Sequence, residues 1–167
     1  EHTKEPTLAY NVEEEVEFAP ATRVGYTFLG WYLNGELVEK VEVGTNGNLK
    51  LVAKWQVNEY KLIVNVDGVK EEVVYDYNEA VVKPADPTKV GYTFAGWTGT
   101  GLSDLTKTVT IPMGSTGDRS YTANWTANTY TITYEGLEGA TVSENPVTYT
   151  PDTESFMLNN PTKEGYT

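Results

Sequence analysis

Apolar and polar residues alternate with a period of two along much of the chain, which predicts strands. The clearest stretch is Tyr60–Val66, where Tyr60, Leu62, Val64 and Val66 share one face. Asp67-Gly68 then supplies the dipeptide of a two-residue hairpin turn, and Val69–Tyr75 reads as the return strand. Asp76–Val90 contains Pro84 and Pro87 and is expected to be mostly irregular, with room for a single helical turn. Tyr92–Trp97, Lys107–Ile111 and Ser120–Trp125 follow as further strands, the last with Tyr121, Ala123 and Trp125 facing inward. Earlier in the chain Leu49, Leu51, Ala53 and Trp55 form a similar inward set, and Asn34-Gly35 is a second hairpin turn. No ten-residue window carries a 3.6-residue apolar period, so the expected fold is mostly β with little or no helix.

The pattern recurs. KVGYTFAGW at Lys89–Trp97 has a near-copy, RVGYTFLGW, at Arg23–Trp31 and a shortened one, KEGYT, at Lys163–Thr167. The copies of Gly-Tyr-Thr begin at Gly25, Gly91 and Gly165, 66 and 74 residues apart. LVAKW at Leu51–Trp55 and YTANW at Tyr121–Trp125 follow the two full copies, and NEYKLIV (58–64) and NTYTITY (128–134) come next. Landmarks in one order at consistent spacing define a repeat of about seventy residues. The expected modules are 1–59, lacking its opening strand, a complete 60–127, and a partial 128–167. The links Gln56–Glu59 and Thr126–Thr129 contain neither Gly nor Pro, so stiff joints and an elongated array are expected.

The aromatic phrase has a physical logic. Tyr92, Phe94 and Gly96 share one parity, and Trp97 joins their face only if Gly96 marks a β-bulge. Gly91 allows an unusual φ where the chain leaves the proline-rich connection. Each small unit needs such a core, so Trp31, Trp55, Trp97 and Trp125, which occupy repeat-equivalent positions, read as core rather than as sugar-stacking platforms.

GYTFxGW, the later AxW and the lead-ins DPTKVGY and NPTKEGY closely resemble the Listeria–Bacteroides repeat, the family that includes the B repeat of the internalins. The resemblance covers nearly the whole chain. It implies small β-grasp-like modules of secreted or wall-attached bacterial surface proteins, often in tandem between a ligand-binding domain and a wall anchor. It also implies roles in spacing or in contact with host surfaces and glycans. The first copy departs from the pattern by lacking its opening strand, and the last stops before its own FxGW and AxW.

Composition narrows the function. Net charge is −12, divided as −5, −2 and −5 over residues 1–59, 60–127 and 128–167. With no basic segment, phosphate neutralisation in a nucleic-acid complex is not expected, and an acidic surface is repelled by anionic membranes. No apolar run has membrane-spanning length, so direct membrane insertion is not expected, and no signal peptide is present. The chain starts at Glu1 rather than Met, which suggests a processed or excised piece whose targeting or anchoring signal lies outside it. Zero cysteines exclude disulfides, thiolate metal sites and a Cys nucleophile, as is common in exported bacterial proteins.

Chemistry finds little to use. His2, the only histidine, has no partner for a triad or a zinc site. Gly99–Gly101 lacks the Lys and helix of a phosphate loop. Asn124-Trp125-Thr126 is a formal glycosylation sequon set in a core strand. Glu13, Glu14, Glu15 and Glu17 read as a solvated edge strand rather than a metal site. An autocatalytic isopeptide bond would need a buried Lys, Asn and acid to meet, whereas Lys61 and Asn65 have outward parity. Neither enzymatic activity nor a cofactor is expected.

The chain therefore reads as a non-catalytic stalk or spacer at a bacterial cell surface or wall, with neighbouring repeats of its parent protein as partners. The rival reading is an adhesion module that holds a host glycan or protein on the loops Gly99–Ser103 and Gly114–Asp118. Aromatics that break the repeat are the weak ligand-binding candidates: Tyr32 where the second copy has Thr98, Tyr77 after the second hairpin, and Phe156 where the second copy has Val82. The apolar face of Tyr130, Ile132 and Tyr134 needs a cover. The preferred arrangement is a structural unit offset from the sequence repeat, with Tyr60–Val66 completing the first unit and Tyr130–Tyr134 the second. Strand exchange between chains is the alternative.

Overall fold

The computed structural model describes Glu13, residues 15–79, 81–82 and 84–166, with only the backbone described at 81–82. His2 and Glu14 lie outside the described residues. Those residues form strands and turns with no helix, as a mostly β chain of small repeat modules.

In the first repeat, β1 (Val16–Glu17) pairs antiparallel with β4 (Lys40–Val41). A three-stranded sheet joins β2 (Tyr26–Leu33), β3 (Glu36–Val38) and β5 (Leu51–Val57) in the order β3-β2-β5. Asn34 and Gly35 turn β2 into β3 with φ of 52° and 93°, the pair of positive values a type I′ hairpin requires.

The middle repeat opens with β6 (Glu59–Val66) and β7 (Val69–Asp76), joined by Asp67 and Gly68 at φ 51° and 87°. They join β9 (Tyr92–Gly99) and β11 (Arg119–Ala127) in a four-stranded sheet of order β7-β6-β11-β9. β11 is antiparallel to β9 but parallel to β6, with Tyr121 opposite Val64. β8 (Val81–Val82) and β10 (Ile111–Pro112) form a separate short ladder, and β12 (Tyr130–Thr131) pairs with β13 (Thr148–Tyr149) in the third repeat.

The predicted bulge is present. Trp97 pairs with Ala123 and Gly96 with Asn124, but Phe94 rather than Ala95 pairs with Trp125. The first repeat shifts at the same place: Gly30 pairs with Lys54 and Phe28 with Trp55, leaving Leu29 as the extra residue. The bulge brings Trp97 to the face of Phe94, with ring centroids 5.1 Å apart, and Trp31 to the face of Phe28 at 5.5 Å.

Three expectations need correction. Of Lys107–Ile111 only Ile111 lies in a strand, which continues to Pro112; Val109 is buried outside any ladder, so its apolar alternation marked burial and not pairing. Among the described residues of 76–90 no helical turn forms; the Asp76 carboxylate accepts the Asn78 N–H at 2.6 Å, a competitor to local helix. The offset unit needs correction in its first half only. β6 pairs with β11 of its own repeat, and Leu62–Val66 belongs to the second compact unit, whereas Tyr130–Tyr134 falls in that same second unit with most of the middle repeat, as the offset arrangement expects.

The chain divides into two compact units. One contains the described residues up to Lys61 together with Val74–Val82 and Ile111–Gly117; the other contains Leu62–Val73, Lys83–Thr110 and the residues from Asp118 onward. The second unit's core consists of Leu62, Val64, Trp97, Val109, Tyr121 and Ala123. In the first unit Val41, Tyr75 and Ile111 are buried, and Tyr60 lies against Tyr75 with ring centroids 5.7 Å apart.

Candidate functional site

The same set of contacts recurs at the Gly-Tyr turns. Each is a four-residue turn in which the Tyr N–H donates to the carbonyl three residues back: Tyr26 to Arg23, Tyr92 to Lys89 and Tyr166 to Lys163, all at 3.1 Å. The glycine at the third position has φ of 77°, 81° and 83°, as a type II turn demands. The basic residue that opens each turn lies over the Tyr ring, with Arg23 3.8 Å, Lys89 4.4 Å and Lys163 4.8 Å from the centroid.

Two of these turns carry a loop on top. In the first unit Tyr77 covers Gly25, so that a Cβ added there would lie 2.1 Å from Tyr77 Cδ2. The Tyr26 hydroxyl donates to Asn78 Oδ1 at 2.7 Å, and the Tyr26 and Tyr77 rings meet edge to face at 5.6 Å. In the second unit Pro151 covers Gly91, a Cβ there lying 2.6 Å from Pro151 Cγ, and the Tyr92 hydroxyl donates to Asp152 Oδ1. That hydrogen bond is the main cause of a Tyr92 pKa above the ordinary phenol value of 10.0, with burial and the charges of Asp152 and Asp67 adding to it.

The three aromatics that break the repeat have separate settings. Tyr32 is half-buried on β2 beneath the Lys54 ammonium, 3.8 Å from the ring centroid. Tyr77 belongs to the loop over Gly25. Phe156 is 40% exposed in an irregular stretch with Met157 and Leu158, both also exposed. The structure does not bring the three together within one unit. The two loops proposed for adhesion are tied down: Thr100 N–H donates to Ser120 O at 2.9 Å, and Gly114 N–H to Tyr77 O at 2.9 Å. The Tyr75 hydroxyl adds a bond to Gly117 O at 2.6 Å.

Charge gathers without making a site. Lys40 bridges Glu15 at 2.7 Å and Glu42 at 3.2 Å, and these hydrogen bonds hold its ammonium above the ordinary 10.5. Glu15 and Glu17 are solvated, but the strand they were expected to share is only Val16–Glu17. Among the described residues no group of three or more His, Cys, Asp or Glu could hold a metal ion. Lys61 and Asn65 lie four residues apart on β6, about 13 Å at the usual strand rise, too far for an isopeptide bond. A shallow cleft of about 470 Å³ lies along Phe18, Phe28, Trp31 and Leu37 in the first unit.

Comparison with known proteins identifies the repeat. The Listeria-Bacteroides repeat domain matches residues 3–54, 60–124 and 130–167. The chain belongs to this family. Among curated relatives of the repeat, a protein of Evansella cellulosilytica described as a "Putative Gly-rich membrane protein" is 32% identical over 88% of this chain and 17% of its own length. Internalin H of Listeria monocytogenes is 32% identical over 65% of the chain and 19% of its own length. The chain thus spans less than a fifth of the relatives it matches. No solved structure matches it.

Read as members of this repeat family, the three segments share the Gly-Tyr turn at equivalent positions, and its loop-covered form was missed from the sequence. The signal was available: YDYN at Tyr75–Asn78 and YTPD at Tyr149–Asp152 both sit sixteen residues before the next Gly-Tyr.

Proposed function

We propose that the chain is a non-catalytic spacer segment of an extracellular, wall-attached bacterial surface protein, which holds another domain of that protein away from the cell. The observation that carries this reading is the use of the recurrent aromatics. Phe28 packs edge to face on Trp31 and Trp55, and Phe94 on Trp97 and Trp125, so the residues best suited to stacking on sugars are engaged with one another. Membership of a repeat family, and relatives described as membrane proteins and an internalin, support the same placement. The neighbouring repeats of the parent protein are its partners.

One observation favours adhesion to a host glycan or protein: the exposed apolar run Phe156-Met157-Leu158. Two variants of the parent protein separate the readings. Deleting residues 60–127 shortens a spacer by one repeat and should impair the function of the displayed domain, while Tyr32→Ala with Phe156→Ala leaves it intact. Retained function after the deletion, together with glycan-array binding that the double substitution abolishes, overturns the spacer reading in favour of adhesion.

A further inference from the structure

The Gly-Tyr turn of one repeat is covered by a loop of the repeat that follows it, twice, with the same construction. In the first case the loop is Asp76–Asn78 and in the second Thr150–Asp152, each at the exit of the return strand of the opening hairpin. Both loops are shaped by their first side chain, which accepts an N–H two residues on: Asp76 from Asn78 at 2.6 Å, Thr150 from Asp152 at 3.3 Å. The second position lays a ring against the bare Cα of glycine, aromatic in Tyr77 and saturated in Pro151. The third accepts the tyrosine hydroxyl.

The link between the repeats is fastened at the same turn. Asn58 N–H donates to Gly25 O at 2.9 Å, and Asn128 N–H to Gly91 O at 2.8 Å. Thr27 and Thr93 hydroxyls donate to the Oδ1 of the same two asparagines, both at 2.6 Å. One backbone hydrogen bond separates the joints. Tyr77 N–H donates to Asn58 O at 3.3 Å, and Pro151 has no N–H to offer.

The third turn is built in the same way, and among the described residues no loop covers its glycine. Gly165 has φ 83°, the closing bond from Tyr166 to Lys163 is in place, and the Lys163 ammonium lies over the ring. A Cβ at Gly165 would meet open space, and Tyr166 is 73% exposed.

We propose that the Gly-Tyr turn is a docking site for the hairpin-exit loop of the next repeat, and that Lys163–Tyr166 is a preformed site of this kind for a further repeat. The occupant is defined by its chemistry: Asp or Thr, then Tyr or Pro, then Asn or Asp, directly after a hairpin. The glycine is needed twice over, for its positive φ and because a methyl group would displace the ring. The inference goes beyond the spacer reading, since repeats that bound glycans would use the same joint.

The chain contains no Cys, so Ser103→Cys with Thr133→Cys gives a clean pair for spin labels on either side of the second joint. The parent pair should give one narrow distance, which Gly91→Ala should abolish. Gly165→Ala carries the same backbone strain with no neighbour and should leave the distance narrow. A broad distribution in the parent pair, or a narrow one in Gly91→Ala, overturns the proposal. If Gly91→Ala unfolds the middle repeat, Pro151→Gly with Asp152→Ala tests the other side of the joint, where a narrow distance again overturns it. For the empty turn, a copy of residues 94–167 appended after Thr167 completes the third repeat and supplies a new loop. The Gly165 and Tyr166 amide signals should then differ between this chain and one carrying Pro151→Gly and Asp152→Ala in the appended copy; identical signals overturn the assignment.

Discussion

The first and middle repeats write almost the same aromatic phrase and bury it to different depths. Trp97 is 1% exposed, whereas Trp31 is only half-buried and donates its indole N–H to Ala19 O at 2.9 Å. Tyr121 and Ala123 are buried, while their counterparts Leu51 and Ala53 are half-buried. The difference lies in the strand beside them. In the middle repeat β6 pairs along β11 and contributes Leu62 and Val64 to the core. In the first, β5 is an edge of its sheet, and among the described residues no strand lines its outer side. The phrase sets the local geometry of strand, bulge and indole, while the opening hairpin supplies the burial.

The largest effect should come from removing the two indoles in turn. Trp97→Ala should cost the middle repeat about 3–5 kcal/mol in denaturant unfolding, as for a large aromatic taken from a packed core, and Trp31→Ala distinctly less. Equal losses would mean that the hairpin adds nothing to the core. Leu62→Ala, from a position 1% exposed, should cost about 2–4 kcal/mol and increase the exposure of Trp97, read by fluorescence quenching.

The bulge glycines sharpen the comparison at a smaller scale. A Cβ at Gly96 would lie 3.0 Å from the backbone N of Thr106, while at Gly30 it would meet the end of the Leu37 side chain at 2.3 Å. Backbone gives way less readily than a leucine methyl. Both glycines have a positive φ, so each substitution to Ala carries strain of about 1–3 kcal/mol, and Gly96→Ala should be the more damaging in thermal unfolding.

The smallest effect is a dependence on pH confined to the second joint. Tyr92 faces the carboxylate of Asp152, where Tyr26 faces the neutral amide of Asn78. The phenol of Tyr92 is raised above 10.0 in the folded chain, so its contribution to stability is complete below that value and is lost as pH rises through the raised one. Asp152→Asn should bring the Tyr92 titration down, followed through its ring-carbon NMR signal. An unmoved titration would show that the carboxylate is not its cause.

Local chemistry was legible in the sequence wherever a few neighbouring residues decide the geometry. Asn34-Gly35 and Asp67-Gly68 form the expected turns, and the parity break at Trp97 gives the bulge. Pairing between distant strands was less legible. Tyr60–Val66 has the same apolar alternation whether it completes the preceding sheet or its own, and only the partner's register distinguishes them. The joint was hidden for another reason. Tyr77 and Pro151 differ in chemical type and share only a ring packed against glycine, so a comparison of residue types treats Tyr77 as an exception to the repeat, although it occupies a repeated place. Phe156 is an exception of a different kind: it is exposed, and nearby Leu158 is exposed where its counterpart Pro84 is buried.

The parallel pairing of β6 with β11 joins the first and last strands of the middle repeat. A pull applied to the two ends of that repeat draws β6 backward and β11 forward along a common direction. Their ladder of evenly spaced hydrogen bonds is then loaded in shear, all bonds together, instead of being unzipped one at a time. The same topology that buries Trp97 therefore makes the middle repeat a mechanical clamp, whose resistance to tension can exceed what its equilibrium stability alone would suggest.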